Sequence, residues 1–313
     1  MPLDPLLRAM FDAAADAPPL RAVGATQARA NSREYSLALP VAHYGPEDGL
    51  DVRAGVVPGP AGHIRVRIYT PKADGLRPVV VFFHGGGWVV GDLDTHDRHA
   101  RAIAFGADAI VVSVDYRLAP EHPYPAGLED CAAATWWAQE HANDLGGNGR
   151  TAVAGDSAGA GLAAAVTLLH RETARPPLAA QLLMYPAVDL TLAQPSVEEN
   201  ATGYGLTAEN MRWYAEQYVA DAEARRDPLA SPLLADDVSH TPPAVVVTAG
   251  FDVLRDEGDR YADRLRLAGV PVEHRSYPTL AHSFLAAAAT VPAAREATEE
   301  TLALFRALLH PDS

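Results

Sequence analysis

The stretch Val153-Ala154-Gly155-Asp156-Ser157-Ala158-Gly159-Ala160-Gly161-Leu162-Ala163 (VAGDSAGAGLA, residues 153–163) breaks an apolar run with a glycine-flanked Asp-Ser pair and resumes as an alanine-rich helix. Two readings compete for it. Gly155–Gly159 fits G-x-S-x-G, in which small flanking residues let a strand turn so sharply into a helix that the serine oxygen projects above the sheet. The helix N-terminus beneath that oxygen favours developing negative charge. Gly159–Ala164 also fits the dinucleotide pattern G-x-G-x-x-A, but its glycines fall inside the helix, several residues past the strand. The next strand also lacks an acidic residue at its end, about 20 positions on, where a ribose partner should sit. Gly161 is therefore read as a close-packing residue and Ser157 as a candidate nucleophile.

The strand ahead of that turn is one of a series. Val79–Phe83, Ile110–Val114, Ala152–Ala154, Gln181–Tyr185 and Ala244–Thr248 are continuously apolar, the habit of parallel strands buried on both faces. Helical patterns separate most of them, around 97–106, 126–144, 158–173 and 258–268, and a last strand, Val272–Tyr277, precedes a final helix near 291–309. Val52–Val57 and His63–Tyr69 instead alternate apolar with polar, as paired strands with one wet face do, and Pro58-Gly59-Pro60 supplies the turn. The class is α/β: a mostly parallel sheet with an antiparallel start and helices on both faces. Residues 2–17 and a weaker stretch to about Leu39 carry helical spacing. Residues 187–240, rich in Tyr, Trp, Glu and Asn, break the alternation and are read as a helical cap over the C-terminal edge of the sheet. The expected division is 1–45 as N-terminal helices contributing to the cap, 46–186 with 241–313 as the core, and 187–240 as the cap insertion.

Composition narrows the partners. At 313 residues, 48% hydrophobic and 21% charged, the chain is an ordinary globular protein. A net charge of -15, with Lys72 the only lysine, argues against a nucleic-acid partner. Cys131 is the sole cysteine, so no internal disulfide forms, and it is read as a helix-packing residue. The N-terminus lacks a basic start and long apolar stretch, and no apolar run approaches the roughly 18 residues that span a bilayer, so no membrane partner and a cytoplasmic location are expected.

A second glycine cluster, His84-Gly85-Gly86-Gly87-Trp88, follows the strand Val79–Phe83. Three successive glycines leave backbone N–H groups free to point at a ligand oxygen, and the cluster resembles the HGGG-type oxyanion motif of esterases and lipases. A serine nucleophile needs a base and an acid, which in such a fold follow it on loops after later strands. His282, just beyond Val272–Tyr277, is the best-placed base, ahead of His240, His274 and His310. Asp252 begins the loop after Ala244–Thr248 and is favoured over Asp256, which with Glu257 reads as a helix-start residue. His96 and His99 sit three apart, but with no third ligand in view they are assigned no metal. Tyr116–Pro123 reads as a loop bracing the site, and Asp156 as a backbone anchor rather than a second base.

With those motifs together, the sequence resembles the hormone-sensitive-lipase-like family of α/β-hydrolases, the bacterial carboxylesterases. The resemblance is carried by HGGGWVVGDLDTHD (84–97), DYRLAPEHPYPA (115–126), GDSAG (155–159), SVEENATGYGLT (196–207) and DVLRDEG (252–258). It implies the α/β-hydrolase fold, a Ser157–His282–Asp252 triad, and oxyanion donors from the backbone of Gly86, Gly87 and Ala158. It further implies a small-molecule ester substrate, no metal or organic cofactor, and a homodimer through the last strand and helix. Trp88, Leu206, Met211 and Tyr214 are candidate pocket walls, each equally able to serve as cap core. Two departures stand out: Ser283 follows His282 where the family usually has glycine, and Val253 follows Asp252 where proline is common. The rival readings are a small-molecule receptor on the same fold and a hydrolase of a related acyl bond, such as an amide, lactone, carbamate or acetylated sugar.

Overall fold

The alternating segments near the N-terminus form β1 (Leu50–Gly59) and β2 (Gly62–Pro71), which pair antiparallel. The apolar runs form β3 (Arg77–Phe83), β4 (Ile110–Asp115), β5 (Gly147–Asp156), β6 (Gln181–Met184), β7 (Ala244–Phe251) and β8 (Val272–Ala281). All eight make one sheet in the order β1-β2-β4-β3-β5-β6-β7-β8. Only β2 runs against the rest, since it pairs antiparallel with both β1 and β4 while every later pairing is parallel. The computed structural model describes residues 1–14, 18–46 and 48–311.

The two-residue side-chain period divides each central strand between two cores. Val79, Val81 and Phe83 of β3 face one, Val80 and Phe82 the other. Ile110, Val112 and Val114 of β4 separate from Val111 in the same way. Neither face can meet water, which is why these strands read as unbroken apolar runs.

Helices cover both faces. In chain order they are α1 (Pro5–Ala13), α2 (Leu20–Ala38), α3 (Asp97–Gly106), α4 (Ala126–Glu140), α5 (Ala158–Arg171), α6 (Pro195–Glu199), α7 (Ala208–Tyr218), α8 (Arg255–Leu267) and α9 (Pro292–Leu309). Helices α4, α5 and α8 pack on the first core through Leu128, Leu162 and Tyr261, while α3 and α9 pack on the second through Ile103 and Phe305. Helix α5 is buried along almost its whole length, and its alanines let it lie close to the sheet. A Cβ on Gly161 would stand 2.1 Å from the Ala187 carbonyl oxygen, so that glycine does serve close packing. Cys131 of α4 is buried, and burial, with Asp130 beside it, pushes its thiol pKa up, as suits a packing residue.

Several boundaries differ from expectation, each for a local reason. Helix α1 starts at Pro5 because Asp4 accepts from the Leu6 and Leu7 amides as its cap; the expected residues 15–17 lie outside the described residues. Gly24, at φ 74, interrupts α2. Pro58 and Gly59 remain in β1, and the turn is Pro60-Ala61, since Gly59 pairs with Gly62. Strand β8 continues four residues past the expected Tyr277, to Ala281. The segment 187–240 is less helical than expected: besides α6 and α7 it holds only single 3₁₀ turns at Ala224–Arg226 and Pro232–Leu234. Asp256 and Glu257 do stand in the first turn of α8, as helix-start residues, although the N-cap residue is Leu254 and no side-chain cap bond forms. Asp256 accepts instead from the Ser196 amide at 2.8 Å, and Glu257 is buried, accepting from the Val188 and Asp189 amides at 2.7 and 3.1 Å.

Candidate active site

Strand β5 ends at Asp156, and Ser157 sits on the turn into α5 with φ 54 and ψ -121. A non-glycine residue held at positive φ is a strained conformation that its surroundings must enforce. Here the flanking glycines allow it. A Cβ on Gly155 would lie 2.2 Å from the Gly159 carbonyl oxygen, and one on Gly159 would lie 2.0 Å from that of Phe83. The turn is also pinned from β6, because the Ser157 amide donates to the Met184 carbonyl at 2.9 Å.

The register of the last two strands brings the other two residues together. Phe251 of β7 pairs with Ala281 of β8, so the next residue of each strand, Asp252 and His282, emerge side by side. His282 Nδ1 is 2.7 Å from Asp252 Oδ2, and His282 Nε2 is 2.9 Å from Ser157 Oγ. Asp252 is buried, and its other oxygen accepts from the Leu254 amide at 2.9 Å. The Tyr185 ring stands edge-on to the imidazole with centroids 5.0 Å apart. Ser283, at the position of the first departure from the family pattern, takes φ 59 and starts a 3₁₀ turn.

The glycine cluster after β3 is fixed on three sides. The Gly85 amide donates to Asp156 Oδ1 at 2.9 Å, which makes Asp156 the backbone anchor expected of it. Tyr116 donates its hydroxyl to the His84 carbonyl at 2.7 Å, and the Ala119 amide donates to the Trp88 carbonyl at 2.9 Å, so the loop 116–123 does brace the site. Gly86, at φ 116, turns the chain so that its carbonyl accepts from Val89 and Val90. Ala158 stands in the first turn of α5, where a helix offers its N–H groups no partner of its own.

Gly86, Gly87, Ser157, Ala158 and His282 line one cavity of about 280 Å³, and Asp252 stands behind His282. All four candidate walls, Trp88, Leu206, Met211 and Tyr214, line it as well. Trp88 also stacks on Tyr218 with centroids 4.6 Å apart and planes 2° from parallel. Tyr35 and Leu39, at the end of α2, complete the lining from the N-terminal side. Burial pushes the Tyr214 phenol pKa up, so Tyr214 is a neutral wall.

Some functional neighbours escaped sequence reasoning. Asn200 donates to the Asp252 carbonyl at 3.0 Å and Ser196 to the Val253 carbonyl at 2.8 Å, so the segment 196–200 buttresses the loop that carries Asp252. Its only signal was the SVEEN run itself. The absence of a third ligand for His96 and His99 is also corrected: Asp156 stands with them, one ligand atom from each of the three lying within 4.8 Å of the others. Burial raises the Asp156 pKa, but His96, His99 and the Gly85 amide outweigh it and hold the carboxyl well below the usual range.

A family model described as alpha/beta hydrolase fold matches residues 80–286. Esterase LipI of Mycobacterium tuberculosis is 47% identical over 259 residues, 81% of each chain. Carboxylesterase NlhH of the same organism is 48% identical over 253 residues, 79% of each. The crystal structure of a thermostable esterase from Pseudomonas putida ECU1011 superposes with a TM-score of 0.93 at 35% identity, covering 98% of both chains. Among the described residues no helix is long and apolar enough to cross a membrane.

Proposed function

This chain belongs to the hormone-sensitive-lipase-like family of alpha/beta hydrolases, and from that premise we propose that it is a serine carboxylesterase of short- to medium-chain acyl esters. One observation carries the reading: Ser157 Oγ, the His282 ring and the Asp252 carboxylate form a continuous relay, at 2.9 and 2.7 Å, opening on the cavity. His282 Nε2 takes the Ser157 proton as Oγ attacks the ester carbonyl carbon, and Asp252 holds the ring and balances its positive charge. The amides of Gly86, Gly87 and Ala158 donate to the oxyanion of the tetrahedral intermediate; one such donor is worth about 3–4 kcal/mol of barrier. The intermediate collapses, the alcohol leaves with the proton from His282, and water hydrolyses the acyl-enzyme by the same steps.

Cavity size supports the substrate class. About 280 Å³ falls just under the roughly 300–1,000 Å³ of pockets for drug-sized ligands, room for a short acyl chain rather than a long one. In the same reading, residues 1–45 and 187–240 act as a cap over the core of 46–186 and 241–313, supported by α2 and α7 residues lining the cavity. A homodimer through β8 and α9 belongs to the proposal too, supported by β8 being a free edge of the sheet; sedimentation reads it directly.

The test is hydrolysis of a panel of 4-nitrophenyl esters from acetate to palmitate, with a fluorophosphonate label and Ser157→Ala as control. Turnover peaking at or below the medium chains, with labelling confined to the Ser157 peptide, is expected. Ligand binding without turnover, or labelling that survives Ser157→Ala, would overturn the reading in favour of a receptor or another nucleophile.

A further inference from the structure

Beneath the glycine loop lies a cluster that the proposed chemistry leaves unused. His96 immediately precedes α3, His99 lies in its first turn, and Asp156 closes β5. His96 Nε2 is 3.7 Å from Asp156 Oδ2. Each group has an atom to spare. Asp156 commits Oδ1 to the Gly85 amide, leaving Oδ2 toward His96. The His96 ring is fixed from its other side, Nδ1 being 2.9 Å from Thr95 Oγ1. His99 is the sharper observation: it is 3% exposed, and neither ring nitrogen has a hydrogen-bond partner. A buried imidazole with two orphan nitrogens is costly unless something else satisfies one of them.

We propose that His96, His99 and Asp156 form a binding site for a divalent transition-metal ion, with zinc the best chemical fit, and that its occupancy switches hydrolysis off. Two imidazoles and one carboxylate are the donor set of an open tetrahedral zinc site, with water in the fourth position. The set is too poor in oxygen for calcium or magnesium. Bonds of about 2.0–2.2 Å place tetrahedral ligands about 3.4 Å apart, and the cluster's ligand atoms already lie within 4.8 Å of one another, so binding needs them to approach by at most about 1.4 Å. All three residues line the cavity that holds Ser157, which gives an ion its way in. Once bound, the ion draws on the carboxylate that anchors Gly85 and sets a positive charge beside the nucleophile. The first loosens the oxyanion loop and the second opposes the positive charge that His282 must take up, so the metal-free form is the active one. The inhibition rests on the esterase reading; the binding does not.

Calorimetry with zinc chloride and visible spectra with cobalt(II), both on chelator-stripped protein, separate the two. Wild type and Ser157→Ala should each bind one ion and show the intense bands of tetrahedral cobalt. His99→Leu and His96→Gln should each weaken zinc binding tenfold or more, and whatever ester turnover each variant retains should no longer be inhibited by zinc. His96 is the more exposed of the pair, so His96→Gln serves alone if His99→Leu misfolds. Absence of binding at micromolar zinc overturns the site. Binding and inhibition unchanged in His96→Gln also overturn it, because the ion then sits elsewhere, on His282 for example. Binding without inhibition overturns the switch. If wild type turns over no ester, the esterase reading fails while the cobalt spectrum still decides the site.

Discussion

Two carboxylates four residues apart, Asp252 and Asp256, have different surroundings, and in the proposed mechanism these give them different work. Asp252 is buried, with one oxygen on the His282 ring and the other on the Leu254 amide. Asp256 holds the Ser196 amide and pairs with Arg255 at 2.7 Å. Asparagine at 252 would present an amide or a carbonyl to the imidazole and favour the wrong tautomer, so Asp252→Asn should lose on the order of 10²–10⁴ in kcat with the fold intact. Asp256→Asn keeps an acceptor for Ser196 and loses only the ion pair, so about 1 kcal/mol of stability should go, with kcat little changed. Measuring kcat and thermal midpoint on both decides it; an inactive Asp256→Asn beside an active Asp252→Asn would reverse the assignment. Position alone singled out Asp252, since it follows a strand of unmistakable pattern, and its contact with His282 is what the structure adds. Asn200, Ser196 and the joining of Asp156 to His96 and His99 were not legible, because each depends on segments distant in the chain meeting across the sheet ends.

At the scale of the element, the packing of α5 against β3 is what holds the Ser157 turn. Gly159 lies so close to Phe83 that an added methyl would stand 2.0 Å from a backbone oxygen, which has no rotamer by which to yield. Gly159→Ala must push α5 off the sheet, at about 3 kcal/mol or more. Urea unfolding reads this, and an undiminished midpoint would contradict the close approach. Helix α2 makes the complementary case from the roof. Arg29 donates to the Val89 and Ala119 carbonyls, each at 2.7 Å, and pairs with Glu121, tying α2 to the loops that carry Trp88. With Arg29→Met the walls given by Tyr35 and Leu39 must be ordered by the substrate itself. KM should rise by about fivefold, equivalent to about 1 kcal/mol, while kcat holds. A fall in kcat at constant KM would mean that Arg29 serves the oxyanion loop instead. Strands and long helices were readable in advance because period and burial agree in them. The segment 187–240 was not, because its chain is held by bonds to the core, such as Ser196 to Val253 and Asn200 to Asp252, rather than by a period of its own.

Across the whole molecule, one buried acid couples folding to pH. Glu257 joins α8 to the chain leaving β6 through the Val188 and Asp189 amides, and its second oxygen is buried without a partner. Burial, reinforced by the charges of Asp189 and Asp252, pushes its pKa well above the ordinary glutamate value despite the two amides. A carboxyl raised on folding binds its proton more tightly in the native state than in the unfolded one. Its contribution is therefore fully present below the unfolded value of about 4.3 and is lost as pH rises toward the native one. Glu257→Gln keeps an oxygen for the two amides and removes the titration. The stability difference between variant and wild type should consequently grow in the variant's favour from pH 5 upward. Its slope should be at most about 1.4 kcal/mol per pH unit, the value for one proton, levelling once the native group ionises. Urea midpoints of both proteins from pH 5 to 9 give that difference free of every other titrating group. A difference that stays constant across the range would mean that Glu257 is ionised in the folded protein, with its second oxygen satisfied by water.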